Sequence, residues 1–263
     1  MNIQGYYRFP TIWEDKVVFV CEDDLWLFSQ KDKQLARLTH SSAEVSRPHL
    51  KPDGKMIAFT GKDEGETEVY TLDLTTGEQK RLTYLGAFSA VVGWSRDGND
   101  ILFASDAHQP FSRIFHLYRI PAQGGEPIPL NLGIAHHISF SPNQGTILGR
   151  NTWDIARWKR YRGGTAGVLW IDREGNGNFQ RFLQNIQGNL ASPLWIGERI
   201  YFISDHQGQG RLYSCDLDEK DLRLEAKVEQ YYIRHANTDG KNIVFQAGGD
   251  LYLHNIKTRS NQK

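Results

Sequence analysis

The 263-residue sequence has two cysteines, two methionines and no excess of either charge, with 31 Lys and Arg balancing 31 Asp and Glu. Zero net charge removes the broad electropositive field on which nucleic-acid and polybasic membrane binding rest, so neither partner is expected. Cys21 and Cys215 are too few and too far apart for a disulfide framework or a thiolate zinc site, which reads as a cytoplasmic chain. No apolar run approaches the ~20 residues of a membrane span. Met1 to Pro10 alternates aromatic and polar residues where a signal peptide would carry a continuous apolar core.

What the sequence does have is glycine, 25 in all, and short runs of Val, Ile, Phe, Tyr and Trp between Asp-Gly and Asn-Gly-type breakers. That punctuation predicts many short strands rather than helices. A repeat runs through them. A Leu or Val followed by Trp or Tyr occurs at Leu25-Trp26, Val69-Tyr70, Leu117-Tyr118, Leu169-Trp170, Leu212-Tyr213 and Leu251-Tyr252, at intervals of 44, 48, 52, 43 and 39 residues. An interval near 45 residues suits one four-stranded propeller blade of about 40 to 50.

The other strands keep the same phase. Before each copy lies an apolar run ending mostly in Phe, as in Val17-Val18-Phe19, Ile57-Ala58-Phe59, Ile101-Leu102-Phe103, Ile200-Tyr201-Phe202 and Ile243-Val244-Phe245; the fourth, Thr146-Ile147-Leu148-Gly149, lacks the Phe. Pro52-Asp53-Gly54, Arg96-Asp97-Gly98 and Thr238-Asp239-Gly240 supply hairpin turns ahead of those runs. After the Leu-aromatic strand an outer strand recurs as Arg37-Leu38-Thr39 and Arg81-Leu82-Thr83. The expectation is an all-β, six-bladed propeller of four-stranded antiparallel blades over approximately 5-40, 43-84, 87-131, 133-184, 189-226 and 230-263, as a single domain. Only Asn255 to Lys263 follow the last Leu-aromatic strand, so the sixth blade is expected to be incomplete or open, with an exposed edge that natural sheets usually cover.

The Pro-Asp-Gly turns followed by Ile-x-Phe resemble TolB-like (PD40) repeats, and the Gly-His and Trp-Asp pair of WD40 blades is missing at the right phase. Longer segments narrow the resemblance: Ser105 to Ser112, Pro129 to Gly133, Gly149-Arg150-Asn151-Thr152, Trp158 to Thr165, and Arg234 to Gly240 look like the first propeller of tricorn proteases. The resemblance implies a propeller that opens a much longer chain, followed in that family by a seven-bladed propeller, a PDZ domain and a serine-peptidase domain. It further implies a cytosolic hexamer that cuts oligopeptides. The family's catalytic Ser and His have no counterpart in these residues. The paired arginines that family members carry before the third blade, proposed to hold peptide C-termini, are also absent, because Tyr84 to Ala90 contains no base. The expected role is a non-catalytic channel, docking and assembly module whose partners are C-terminal protease domains or subunits and oligopeptides. The alternative is a free-standing TolB/WD40-like interaction scaffold.

Other chemistry is thin, and no cofactor, metal or catalytic residue is assigned. Gly-x-Ser-x-Gly, His-Glu-x-x-His and the P-loop pattern do not occur. Ser204-Asp205-His206 holds triad residue types, but neighbours on a strand end point in different directions. His136-His137 lacks zinc-ligand spacing, and Glu22-Asp23-Asp24 lacks the spaced oxygens and Gly of a calcium loop. The segment that stands out is Arg157-Trp158-Lys159-Arg160-Tyr161-Arg162, four bases without an acid inside the longest insertion. Its bases could draw peptide carboxylates to a propeller face or channel. The reading favoured over that one is that its Trp, Tyr and Arg stems pack on a neighbouring domain or subunit.

Overall fold

The structure, a computed structural model, describes residues 5–63 and 65–263. Its strands form six four-stranded antiparallel sheets, each built from strands consecutive in sequence, and the fold is a six-bladed β-propeller with no helix among the described residues. Blade 1 holds β1 (Arg8–Trp13), β2 (Lys16–Cys21), β3 (Asp24–Ser29) and β4 (Gln34–Arg37). Blade 2 holds β5 (Val45–Leu50), β6 (Met56–Gly61), β7 (Glu68–Asp73) and β8 (Gln79–Arg81). Blade 3 holds β9 (Ser89–Trp94), β10 (Asp100–Ser105), β11 (His116–Pro121) and β12 (Ile128–Ile134). These three blades make one compact unit, and residues 135–263 make another. In the second unit, blade 4 holds β13 (His137–Phe140), β14 (Thr146–Arg150), β15 (Val168–Asp172) and β16 (Gln180–Phe182). Blade 5 holds β17 (Leu190–Ile196), β18 (Arg199–Ser204), β19 (Arg211–Asp216) and β20 (Arg223–Ala226), and blade 6 holds β21 (Arg234–Thr238), β22 (Asn242–Ala247), β23 (Asp250–Asn255) and β24 (Ser260–Gln262).

Within each unit neighbouring blades pack their middle strands against one another, and β6, β10, β18 and β22 run as nearly continuous buried segments. Within the first unit, Val18, Val20 and Leu25 pack with Ile57, Phe59 and Tyr70, while Ala58 and Val69 pack with Val91, Ile101 and Phe103. Within the second, Ile147, Leu169 and Phe182 meet Trp195, Ile200 and Phe202, and Ile203 and Leu212 meet Ile233, Ile243 and Phe245. The repeated Phe and the repeated aromatic turn out to be cross-strand partners. Phe59 faces Tyr70, Phe103 faces Tyr118, Phe202 faces Tyr213 and Phe245 faces Tyr252, with ring centroids 5.5 to 6.0 Å apart. In blade 4 the register puts Leu148 opposite Trp170, so that ring has no aromatic partner across the strand.

The outer strands are fastened by buried carboxylates. Thr39 Oγ1 donates to Asp24 at 2.6 Å and accepts from the Leu25 amide at 2.9 Å, while Arg37 Nε reaches Asp24 at 3.0 Å. Blade 2 repeats the clasp with Thr83, Glu68 and Arg81. The Arg-Leu-Thr repeat is therefore a device that ties the fourth strand to the third. The Asp-Gly turns behave as their residue types require: Gly54 sits at φ 66°, and the Lys55 amide donates to Asp53 Oδ1 at 2.9 Å.

The sixth blade corrects the expectation of an incomplete sheet. β24 supplies its fourth strand, pairing Leu253 with Gln262, His254 with Asn261 and Asn255 with Ser260. The turn is tight enough because Asn255 Oδ1 accepts from the Thr258 amide and hydroxyl, both at 2.9 Å, and Arg259 adopts the left-handed backbone at φ 54°.

Candidate functional site

The basic insertion spans residues 151–167 between β14 and β15 and folds as a series of turns. Its foot is braced by both histidines of the pair. His136 Nδ1 accepts from the Asn151 amide at 2.9 Å and its ring lies 4.5 Å from Trp153, while His137 Nδ1 lies 2.8 Å from Thr152 Oγ1. The two rings thus serve the loop, and no cluster of three or more metal-ligating side chains occurs among the described residues. The return to β15 is equally close. Gly167 pairs with Leu190 through its carbonyl at 3.1 Å, and a Cβ at that position would lie 2.1 Å from the Leu190 oxygen.

The middle of the loop is held from blades 5 and 6. Asp205, whose side chain is 0% exposed, accepts from the Arg160 amide at 2.7 Å, the Asn189 amide at 2.9 Å and the Arg162 guanidinium at 3.2 Å. Arg160 presents that amide from a left-handed backbone at φ 58°. Asn189 extends the grip, its Nδ2 donating to the Tyr161 carbonyl at 3.3 Å and its Oδ1 accepting from the Gly167 amide at 3.2 Å. Further along, Asp154 accepts from Arg234 Nε at 2.7 Å, and Ile155 is buried with Ile233. These contacts fix the loop backbone while leaving its tip free.

The four bases are not equivalent. Arg162 is tied to Asp205, and Lys159 lies over the Tyr232 ring at 5.2 Å. Arg157 and Arg160 are exposed, and among the described residues their guanidinium groups make no ion pair. Between them Trp158 is 62% exposed and tilts against Tyr161 at 5.4 Å. Gly163 allows Tyr161 to fold back, since a Cβ there would fall 2.0 Å from the tyrosine hydroxyl. The result is a fixed loop that presents free cations beside an exposed indole, a combination suited to carboxylates and to protein surfaces.

The remaining candidates resolve into structure. His206 Nδ1 does lie 3.0 Å from Ser204 Oγ, but Asp205 turns away from both to hold the loop. Its Nε2 is shielded and meets no carboxylate, so the third member of a triad is missing. Burial pushes the His206 pKa below its ordinary value against the opposing pull of Asp205, which keeps the ring neutral near pH 7. Glu22 and Asp23 form the left-handed turn between β2 and β3, with Asp23 paired to Arg8 at 2.9 Å, and Asp24 is the buried clasp described above. Sequence reasoning did not single out Asp205 as the anchor of the loop, because no spacing along the chain links it to residues 160–162.

Residues 4–260 match the model of the tricorn protease N-terminal β-propeller domain. The chain belongs to that family. It is 38% identical over 264 residues to the tricorn protease of Thermoplasma acidophilum, covering 97% of this chain and 24% of the relative. A crystal structure of the tricorn protease superposes with a TM-score of 0.92 at 36% identity, covering 99% of this chain and 26% of that one. The tricorn propeller chain thus spans about a quarter of the length of these relatives. Similar proteins in Sulfurisphaera tokodaii include a putative tricorn-like protease N-terminal subunit, 33% identical over 64% of this chain and 87% of the relative, and a putative C-terminal subunit, 45% identical over 29% of this chain and 9% of the relative.

Proposed function

We propose that this propeller is the non-catalytic N-terminal module of a tricorn-type serine protease, serving oligopeptide degradation in the cytoplasm as a docking, channel and assembly element. The observation that carries the reading is similarity along nearly the whole chain to the propeller part of proteases four times its length. The pair of Sulfurisphaera subunits, both similar to parts of this one propeller, supports assembly across separate polypeptides. The fixed basic loop supplies a surface for it: Trp158 offers apolar area, and Arg157, Lys159 and Arg160 offer charge for an acidic partner segment or a peptide carboxylate.

The test mixes the 263-residue chain with a tricorn-type C-terminal part carrying the peptidase domain, and follows complex mass by light scattering and oligopeptide turnover. A stable complex with raised turnover is expected. Replacing Arg157, Lys159, Arg160 and Arg162 together by Gln separates the two roles of the loop: lost association marks an interface, and retained association with poorer turnover marks peptide handling. No complex under any salt condition would reject the module reading and favour a free-standing scaffold.

A further inference from the structure

Blade 4 departs from its neighbours on the face that carries Leu148, Trp170 and Arg181. Those three are consecutive cross-strand partners, Leu148 to Trp170 and Trp170 to Arg181, and Arg150, two residues beyond Leu148, shares their face. The opposite face, with Ile147, Leu169, Ile171 and Phe182, is spent on the core with blade 5. Where four other blades stack Phe on the repeated aromatic, the Trp170 ring is covered by cations. The Arg150 guanidinium lies 4.4 Å from the ring centroid and that of Arg181 5.8 Å, one from each flanking strand.

No acid answers these two charges. Neither arginine makes an ion pair among the described residues. Burial, then the neighbouring charge of Arg181, pushes the Arg150 pKa below its ordinary value, and no carboxylate acts against them. Arg150 Nε and Trp170 Nε1 are both shielded from solvent, and neither makes a hydrogen bond. Like charges gathered on one ring with unused donors beside them are costly unless something negative arrives. Arg181 is exposed, so the site has a path to solvent.

We propose that Arg150, Arg181 and the Trp170 indole N–H form a binding site for an oxyanion, a carboxylate or a phosphate. The guanidinium forks supply charge-assisted hydrogen bonds, and the indole fixes their orientation by stacking and adds a neutral donor. A carboxylate offsets one of the two charges and a phosphate dianion both, and either accepts from the idle donors. The site is separate from the basic loop and does not rest on the protease reading.

The test uses the indole signals of the 15N-labelled chain, which has seven tryptophans, with Trp170→Phe identifying the relevant one. Sodium acetate, inorganic phosphate, and a dipeptide as free acid or as amide are titrated at constant ionic strength in chloride. A saturable downfield shift confined to the Trp170 signal is expected with an oxyanion, at least tenfold weaker in Arg181→Gln and absent in the Arg150→Gln/Arg181→Gln variant, whose other indole signals stay in place. Saturation by acetate and the free acid identifies a carboxylate site, and tighter saturation by phosphate identifies a phosphate site; both uphold the proposal. Equal response to the amidated dipeptide, a response unchanged in the double variant, or no response to any anion would overturn it.

Discussion

Asp205 shows how a side chain with triad chemistry can be wholly committed to architecture. Its carboxylate is buried and surrounded by donors from Arg160, Arg162 and Asn189, so removing it strands several of them at once. Asp205→Ala is expected to destabilise the chain by about 3–5 kcal/mol, the range for breaking a buried charge pair. Asp205→Asn retains an acceptor oxygen, and a loss of roughly 1–3 kcal/mol is expected. Denaturant titration gives both, and hydrogen exchange at the Arg160 amide locates the effect in the loop. Arg162→Met leaves the buried Asp205 carboxylate without its counter-charge but still hydrogen-bonded to the Arg160 and Asn189 amides, so a loss of roughly 1–3 kcal/mol is expected there. The cysteines belong to the same scale. Both are buried and unpaired, and burial pushes the Cys215 thiol up to about 12, so neither should react with a thiol reagent until the chain unfolds.

Among the elements, β24 is the strand that spacing alone did not resolve. Three residues make it, and Glu225 of blade 5 fixes it in place: Arg259 Nε donates to Glu225 Oε2 at 2.9 Å, and Asn261 Nδ2 donates to the Glu225 carbonyl at 3.2 Å. Beneath it His254 is fully buried, Nδ1 lying 3.1 Å from Asn261 Oδ1 and Nε2 lying 3.7 Å from Glu225. Burial lowers the His254 pKa below 6.5 despite the raising effects of Asn261 and Glu225. The unfolded chain therefore binds a proton there first as pH falls, and the stability held above about pH 6.5 is lost progressively on acidification. Melting curves between pH 7.5 and 5.5 should fall less steeply for His254→Gln than for the unaltered chain. Deleting residues 260–263 uncovers the edge of β23, and chromatography at rising concentration should show self-association.

The inner strands carry a second feature that the strand pattern concealed. β1, β5, β17 and β21 each shift register, with Phe9, Arg47, Ser192 and His235 in the left-handed region. Phe9-Pro10, Arg47-Pro48 and Ser192-Pro193 were the available signal, since proline within a sheet is confined to edges and bulges.

At the scale of the whole molecule, an oligopeptide assay on the purified chain is expected to show no cleavage above buffer. The Ser204–His206 hydrogen bond lacks an orienting carboxylate, and the Ser204 hydroxyl is fully buried. Reproducible cleavage that co-elutes with the chain would contradict that expectation. The blades themselves were legible because each is local. Strand, turn and partner lie within about 45 residues, so the repeat of Phe, Leu-aromatic and Arg-Leu-Thr writes blade number and register into the sequence. The basic loop was legible as composition for the same reason. Which of its cations is free was not, because Arg162 is tied down by Asp205, 43 residues away, and Arg157 is not. Nor could spacing reveal that Arg150 and Arg181 meet over Trp170, a juxtaposition made by strand pairing across two hairpins. Short-range turn and pairing chemistry is encoded in adjacent residues, whereas charge compensation depends on which distant side chains packing brings within a few ångströms.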